Sequence, residues 1–169
     1  MGFILEQEIL APRELMLFED MLNSGLSIRV KATGRSMVPF LTGGEILTIK
    51  KVPSASLEKG DLLFFKDTHG YPVLHRIIRK KCIDNEFVFQ TKGDALSDFD
   101  EPVSDQSILG KACKIERSRM KYFGQINLES FFWRKVGYLT AIAELIRSKA
   151  HSALLKLFKR LRSTAEAFL

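Results

Sequence analysis

The stretch PVLHRIIRKKCIDNEFVFQT, residues 72–91, decides the fold of this chain. Its two ends, residues 72–82 and 86–91, are rich in β-branched and aromatic residues and have the lengths of strands. Between them stand Asp84 and Asn85, two residue types that tolerate the left-handed backbone of a tight turn. The stretch therefore predicts a β-hairpin built from these two strands.

Shorter β-rich runs lie on both sides of this hairpin. Between residues 26 and 32, apolar residues alternate with polar ones, which is typical of a half-buried strand. Turn signals separate the runs, and no helical pattern stands between most of them. We therefore predict a mainly β fold, an antiparallel sheet of small barrel-like form. The further predicted strands cover residues 45–52, 61–66 and 107–116.

Helical patterns are confined to the two ends of the chain. Residues 5–23 place Leu15, Phe18 and Leu22 on one helical face, and an Asn-Ser-Gly stop follows. The first ten residues lack a basic segment, so no signal peptide is expected. We predict an N-terminal helix within residues 1–25.

The C-terminal part has a different pattern, which divides the rest of the chain into a β domain at residues 26–119 and a helical tail at residues 120–169. Apolar residues recur in the tail every three or four positions, and most basic residues lie off that line. The tail is therefore predicted to be an amphipathic helix or helix pair. The apolar line comprises Val136, Leu139, Ala143, Ile146, Ala150, Ala153, Leu157 and Leu161.

The net charge of +6 belongs to this tail. Residues 1–133 contain 18 basic and 18 acidic residues, whereas residues 134–169 contain eight basic and two acidic ones. The tail could contact an anionic membrane surface, or it could pack on the β domain or a partner helix. No specific nucleic-acid partner is expected, because aromatic and basic residues do not interleave. With no run of 18 apolar residues, no transmembrane helix is expected either, and both a soluble cytoplasmic and a peripheral membrane location stay open.

The segment VKATGRSMVPFL, residues 30–41, contains the first candidate reactive group. Ser36 stands where the alternating β pattern ends. Gly34 before it allows a close backbone approach, and Pro39 after it stiffens the chain. A serine in a turn commonly satisfies local backbone groups. As a nucleophile it would need a base, because a free hydroxyl is barely nucleophilic at neutral pH.

His75 is the candidate base among the three histidines. His151 lies in the basic tail, and His69 lies in a His-Gly turn. His75 lies in the predicted hairpin, on the strand face that carries Val73 and Ile77. A core histidine with one hydrogen bond is the commoner explanation for such a position. A buried neutral imidazole is equally what a general base requires.

The loop TKGDALSDFD, residues 91–100, contains three carboxylates: Asp94, Asp98 and Asp100. A solvated loop or Asx turns would explain them. Metal binding lacks support from a histidine or a second acidic cluster, so no metal or cofactor is expected. An aspartate that reaches His75 would fix its tautomer and stabilise the imidazolium formed when Ser36 attacks a substrate.

Four blocks follow one another between residues 30 and 116: GRSMVP, GDLLFF, VLHRI and FQTKGDALSDFD. Their order and spacing resemble those of type I signal peptidases, in a superfamily of serine peptidases that includes self-cleaving phage and SOS repressors. The resemblance places the nucleophile on Ser36. Bacterial enzymes have a lysine base where this chain has His75, so the chain resembles the Ser-His variant of endoplasmic-reticulum, archaeal and some Gram-positive enzymes. In that variant the acidic partners correspond to Asp100, expected to orient the histidine, and Asp94, expected to be a structural or supporting carboxylate.

The resemblance implies a serine endopeptidase that removes signal or leader peptides from precursors. The Ser36 backbone N–H is expected to be one oxyanion donor. Relatives often have a hydroxyl two residues earlier, where this chain has Gly34, so Thr33 is the candidate for the second donor. Family substrates bind in an extended form and fill shallow pockets with small side chains. Met37 and Pro39 are expected to belong to that substrate site.

One departure from the family keeps other functions open. The family's hydrophobic anchor helix is not seen, which fits either a tail on a membrane surface or a soluble enzyme that trims leader peptides in the same cell. The alternative class is a non-enzymatic peptide-binding module or a repressor-like self-cleaving regulator. Only about 25 residues precede the first strand, too few for a helix-turn-helix domain. The intact Ser, His and Asp set argues against an inactive fold.

The two cysteines, Cys82 and Cys113, form no metal or redox motif. Free cysteine commonly behaves as a small hydrophobic residue. Reduced, partly buried thiols are therefore expected, with a single disulfide bridge as the alternative.

Overall fold

The computed structural model describes residues 4–5, 12–117 and 124–166, with side chains described for residues 14–117 and 124–148. Within these residues two α-helices flank one sheet. The helices are α1 (Pro12–Asn23) and α2 (Phe131–Glu166). The strands are β1 (Ile4–Leu5), β2 (Ile28–Lys31), β3 (Ile46–Lys50), β4 (Leu62–Lys66), β5 (Pro72–Ile83), β6 (Glu86–Lys92), β7 (Val103–Ser104), β8 (Ile108–Glu116) and β9 (Gln125–Asn127).

The hairpin predicted from residues 72–91 is confirmed. β5 and β6 pair in antiparallel fashion, and Ile83 lies opposite Glu86 at the closed end. Asp84 and Asn85 form the turn with φ angles of 49° and 67°. Both angles lie in the left-handed region that a two-residue hairpin turn requires and that these residue types tolerate.

The mainly β fold is confirmed, but the sheet is not closed into a barrel over the described residues. The strands follow the order β1-β2-β3-β8-β4-β5-β6-β7, with β9 beside β8. All neighbouring pairs are antiparallel except β1 with β2. Register shifts in three of the strand pairs bend the sheet. The strands at its two ends, β1 and β7, each have only two residues and do not pair with each other.

The hydrophobic core has two parts, which follow the curvature of the sheet. One part joins α1 to β2, β3 and β8 and contains Phe18, Leu22 and Ile115. The other lies beneath β4, β5 and β6 and contains Phe65 and Ile77. The two parts lie on opposite faces of β4, since Phe64 belongs to the first part and Phe65 to the second.

The N-terminal helix prediction is right from residue 12 onward. Leu15, Phe18 and Leu22 of α1 are buried, as their spacing predicted. Leu5 was predicted to be helical, but it lies in β1, parallel to β2 and opposite Val30. Residues 6–11 of the predicted helix lie outside the described residues.

The C-terminal region begins as part of the sheet, which the helical prediction from residue 120 missed. β9 pairs with β8 before α2 starts. Most of the predicted apolar line is exposed where side chains are described, since Leu139 and Ile146 are 65% and 63% exposed, whereas Val136 is half-buried. Small residues form the packed face instead, with Gly137 and Ala141 buried. Their size lets the helix backbone approach the sheet closely. Among the described residues no helix is long and apolar enough to cross a membrane.

The two thiols are free. Cys82 lies exposed near the end of β5, whereas Cys113 is buried in β8. Burial raises the pKa of the Cys113 thiol to about 11, because the thiolate would lose its hydration there.

Candidate active site

Ser36 lies in a tight turn that follows β2. Within this turn the Val38 N–H donates to Arg35 O at 3.2 Å, and the Leu41 N–H donates to Met37 O at 2.9 Å. The peptide bond between Val38 and Pro39 is cis. Ser36 itself is half-buried. The chain around the serine is therefore held by its own backbone contacts.

A buried carboxylate closes the loop that contains this turn. Glu45 accepts hydrogen bonds from Thr42 N–H at 2.9 Å, Thr42 Oγ1 at 2.9 Å and Gly43 N–H at 2.8 Å. Burial alone would raise the pKa of Glu45, but these hydrogen bonds outweigh it and hold that pKa below its ordinary value. At the base of the loop, Ala32 N–H donates to Glu45 O and Gly44 N–H donates to Ala32 O. The loop from residue 32 to residue 45 is thus fixed at its base.

His75 projects from β5 and is bound by a carboxylate. Its Nδ1 lies 2.7 Å from Asp100 Oδ2, and the residue is only 6% exposed. Because an ionised carboxylate only accepts hydrogen bonds, this contact places a proton on Nδ1, and in the neutral imidazole Nε2 is then the acceptor. The edge of the Phe65 ring limits the movement of the imidazole, with ring centroids 6.4 Å apart.

Asp100 is itself held by Thr91, at the opposite end of the acidic loop. Thr91 Oγ1 donates to Asp100 Oδ2 at 2.7 Å, and Asp100 N–H donates to Thr91 O at 3.0 Å. Thr91 lies in β6 and is fully buried. The carboxylate that orients the imidazole therefore has a fixed position of its own.

Ser36 and His75 line the same cleft, whose volume is about 530 Å³. The floor of the cleft is apolar and reaches Leu41, Ile49 and Phe64 in the core. Among the described residues no hydrogen bond joins the Ser36 hydroxyl to His75. Catalytic contacts in ligand-free enzymes are commonly longer than in complexes, so this arrangement is compatible with a nucleophile and its base.

The predicted oxyanion and substrate residues are divided between this cleft and its surroundings. Thr33, Gly34 and Met37 line the cleft with Ser36, whereas Pro39 is exposed outside it. No hydrogen bond between described residues uses the Ser36 backbone N–H. That group is the candidate oxyanion donor that the structure places nearest to the nucleophile.

Asp94 binds a different partner from Asp100. It accepts two hydrogen bonds from the Arg76 guanidinium, from Nε at 2.9 Å and from Nη2 at 2.7 Å. The side chains of both residues are almost completely buried, 1% exposed for Arg76 and 3% for Asp94. Arg76 Nη1 also donates to Gly60 O at 3.0 Å. Among the described contacts Asp94 does not touch His75, and Asp98 is exposed.

Two residues that organise the site were missed by the sequence reasoning. Thr91 had no distinguishing signal, since a threonine is ordinary in a strand. Arg76 offered one, because an arginine within an apolar strand needs a carboxylate when it is buried. Both Asp94 and Asp100 lie close enough in sequence to be candidate partners of a residue in β5. Only the folded structure shows that Asp94 is the one that binds Arg76.

No protein-family model matches this sequence, and no curated protein matches it. The signal peptidase resemblance therefore stays a prediction from the four sequence blocks.

Proposed function

We propose that this protein is a serine endopeptidase that cleaves signal or leader peptides from precursor polypeptides. Ser36 is the nucleophile, His75 the general base and Asp100 the group that orients the base. The proposal is carried by the 2.7 Å contact of His75 Nδ1 with Asp100, made by a histidine that shares one cleft with Ser36. This combination supplies a serine, an acceptor nitrogen and an oriented imidazole, which the Ser-His-Asp mechanism requires.

The reaction follows from these roles. His75 Nε2 takes the proton from the Ser36 hydroxyl while the Ser36 Oγ attacks the carbonyl carbon of the scissile bond. The Ser36 N–H donates to the oxyanion that forms. Collapse of this intermediate breaks the C–N bond, and His75 gives its proton to the departing amine. A water molecule then attacks the acyl ester with His75 as base, and the proton returns to Ser36.

The start of β5 offers a place for an extended peptide. Val73, Leu74 and His75 pair with β4 on one side. On the other side, within the described part of the chain, no strand pairs with them, since β6 begins its pairing at Arg76. A substrate can add a strand at such an edge. The apolar floor favours apolar side chains near the scissile bond, and the cleft volume of about 530 Å³ leaves room for residues larger than alanine.

The same proposal includes a membrane surface as a partner of α2. Leu139, Ala143 and Ile146 are exposed on one side of the helix, and residues 134–169 contain eight basic and two acidic residues. A helix with this composition binds anionic lipids through its apolar face and its charge.

Vesicle flotation tests binding of α2 to a membrane surface. Wild type should float with anionic but not neutral vesicles, and the double variant Leu139→Glu, Ile146→Glu should not bind. Ile83→Glu, an exposed apolar site at the hairpin end, is the matched control.

Peptide cleavage tests the enzymatic function. Purified wild type, Ser36→Ala and His75→Ala are mixed with leader-like peptides that carry small or larger apolar residues before the scissile bond, and products are read by mass spectrometry. We expect cleavage by wild type and none by either variant. Ser27→Ala and His69→Ala replace exposed residues of the same types and should keep full activity.

The alternative function, a peptide-binding module, predicts a different result. Wild type would then bind these peptides without cutting them, and Ser36→Ala would bind equally well. Unchanged cleavage by Ser36→Ala would also overturn the proposal, because it would place the reaction elsewhere or in a contaminant.

A further inference from the structure

We propose that Arg147 and Glu144 of α2 are positioning residues for the nucleophile: they hold residues 92–96 against the turn that carries Ser36. The inference rests on the proposed function, since it assigns the C-terminal helix a part in the same site.

The helix is fixed on the sheet by a close backbone contact. A Cβ atom added at Gly137 would lie 2.8 Å from Gly60 O, and one at Gly60 would lie 2.7 Å from Gly137 O. One turn later Ala141 is fully buried. Because small residues let the two backbones touch, the helix has one defined height above the sheet at this point.

The next turn of the helix supplies a counter-charge to a buried lysine. Lys92 ends β6 and is 1% exposed, and its Nζ lies 2.6 Å from Glu144 Oε2. Arg147 Nη2 lies 2.8 Å from the same oxygen. A buried ammonium requires such a partner, because an unpaired charge without hydration is strongly unfavourable. Glu144 therefore ties the end of β6 to α2.

Arg147 extends this contact to the loop that follows. Its Nη2 donates to Asp94 O at 3.2 Å and to Leu96 O at 3.0 Å. The guanidinium thus contacts the loop on both sides of Ala95. A planar group with several donors is well suited to bridge two carbonyl oxygens.

The bridged loop is in direct contact with the nucleophile. Ala95 N–H donates to Ser36 O at 2.8 Å. Gly93 packs so tightly that a Cβ there would lie 2.7 Å from Ser36 O. A shift of this loop would move the Ser36 backbone, including the N–H proposed to bind the oxyanion. A misplacement of about 1 Å can slow a positioned reaction by a factor on the order of 10².

Arg147→Ala is the main test, because the side chain is 54% exposed and its loss should leave the fold intact. Arg134→Ala is the matched control: it removes a similarly exposed arginine of the same helix, paired with exposed Glu58 away from the loop. We expect kcat for peptide cleavage to fall about tenfold in Arg147→Ala with KM unchanged, since a charge-assisted contact to the loop is lost. Arg147→Lys, which keeps the charge and a donor, should recover part of the lost kcat. Glu144→Gln should lower kcat below that of Arg147→Ala.

Hydrogen exchange of the full-length protein separates this inference from the proposed function. In Arg147→Ala the amide hydrogens of residues 93–96 should exchange about tenfold faster than in wild type or in Arg134→Ala. This expectation holds whether or not any peptide is cut. If wild type cleaves nothing, the proposed function fails while this exchange result still decides whether the helix holds the loop. If Arg147→Ala exchanges and cleaves like wild type, the positioning role is overturned. An equal loss of activity in Arg134→Ala would also overturn it, because the effect would then belong to the helix in general.

Discussion

Asp94 and Asp100 lie in one loop, six residues apart, and bind neighbouring residues of the same strand. Asp94 accepts two hydrogen bonds from Arg76, and Asp100 accepts one from His75. The side chains of the first pair are 1% and 3% exposed, whereas those of the second are 8% and 21% exposed. Two chemically identical carboxylates therefore have very different surroundings.

The difference follows from the alternation of side chains along β5. Successive residues of a strand point to opposite faces, so His75 and Arg76 require partners on opposite sides. The face of Arg76 is buried, and there the guanidinium holds Asp94 through two hydrogen bonds. The other face carries the imidazole of His75, which Asp100 orients. One loop thus supplies a structural carboxylate and a candidate functional one.

The largest expected effect is a loss of rate in Asp100→Asn. The amide can donate to His75 Nδ1, which would move the proton to Nε2 and prevent it from accepting the Ser36 proton. We expect kcat to fall by a factor on the order of 10³ or more, while the free energy of unfolding changes by less than about 1 kcal/mol, because the site is partly exposed. Peptide cleavage kinetics and urea unfolding measure the two quantities. A large loss of stability with kcat retained would contradict the functional role.

The same substitution at the other carboxylate should act on stability. In Asp94→Asn an amide N–H₂ faces an Arg76 donor, and the buried guanidinium loses its counter-charge. We expect the free energy of unfolding to fall by about 3 kcal/mol, measured by urea unfolding. Asp98→Asn, at an exposed position of the same loop, should leave stability unchanged. A fully stable but inactive Asp94→Asn would break the comparison, because Asp94 would then act in catalysis.

The fold was predictable wherever local pattern decided it. The alternation around Val30 and the Asp84–Asn85 turn act over a few residues, and both predicted strands and hairpin are present. The packed face of α2 was not predictable in this way. Its apolar line includes Leu139, which is exposed, whereas Gly137 approaches Gly60, a residue 77 positions earlier in the chain. A contact of that kind depends on the whole fold and leaves no periodic signal.

The residues of the candidate site can be separated in the same way, into those that local sequence indicates and those that only the whole fold places. Ser36 and His75 were singled out from local sequence, and the structure places both in one cleft. The choice between Asp94 and Asp100 depended on the family resemblance. Arg76, which decides the surroundings of Asp94, can be placed opposite that carboxylate only once the register of β5 and β6 is known.

A smaller effect is expected from Thr91→Val, which sharpens the account of Asp100. The substitution keeps the shape of the buried side chain but removes the hydroxyl that donates to Asp100 Oδ2. We expect kcat to fall roughly tenfold, since one hydrogen bond to a charged group is lost and the carboxylate gains freedom. Thr91→Ser should restore most of the rate. If Thr91→Val matches wild type in cleavage assays, the carboxylate needs no support from β6.

The smallest effect concerns Glu45, a buried carboxylate whose partners are the backbone and hydroxyl of a turn rather than a cation. The pKa of Glu45 lies below the ordinary glutamate value. At pH values above the ordinary pKa the ionised group therefore stabilises the fold, and this stabilisation is lost as the pH falls through the lowered pKa. Glu45→Gln should reduce the free energy of unfolding at pH 7 by about 1 kcal/mol, a modest figure because Thr42 and Gly43 lie at the surface and water screens the contact.

Urea unfolding of wild type and Glu45→Gln at a series of pH values tests this sign. The difference between the two proteins should be constant well above the ordinary pKa of a glutamate and should shrink as the pH falls from that value through the lowered pKa of Glu45. A difference that grew on acidification would mean that the folded state favours the protonated group, contrary to its hydrogen bonds. A constant difference over the whole range would mean that Glu45 acts through shape alone. In the comparison with Asp94 and Asp100, Glu45 would then hold the loop of Ser36 by packing rather than by charge.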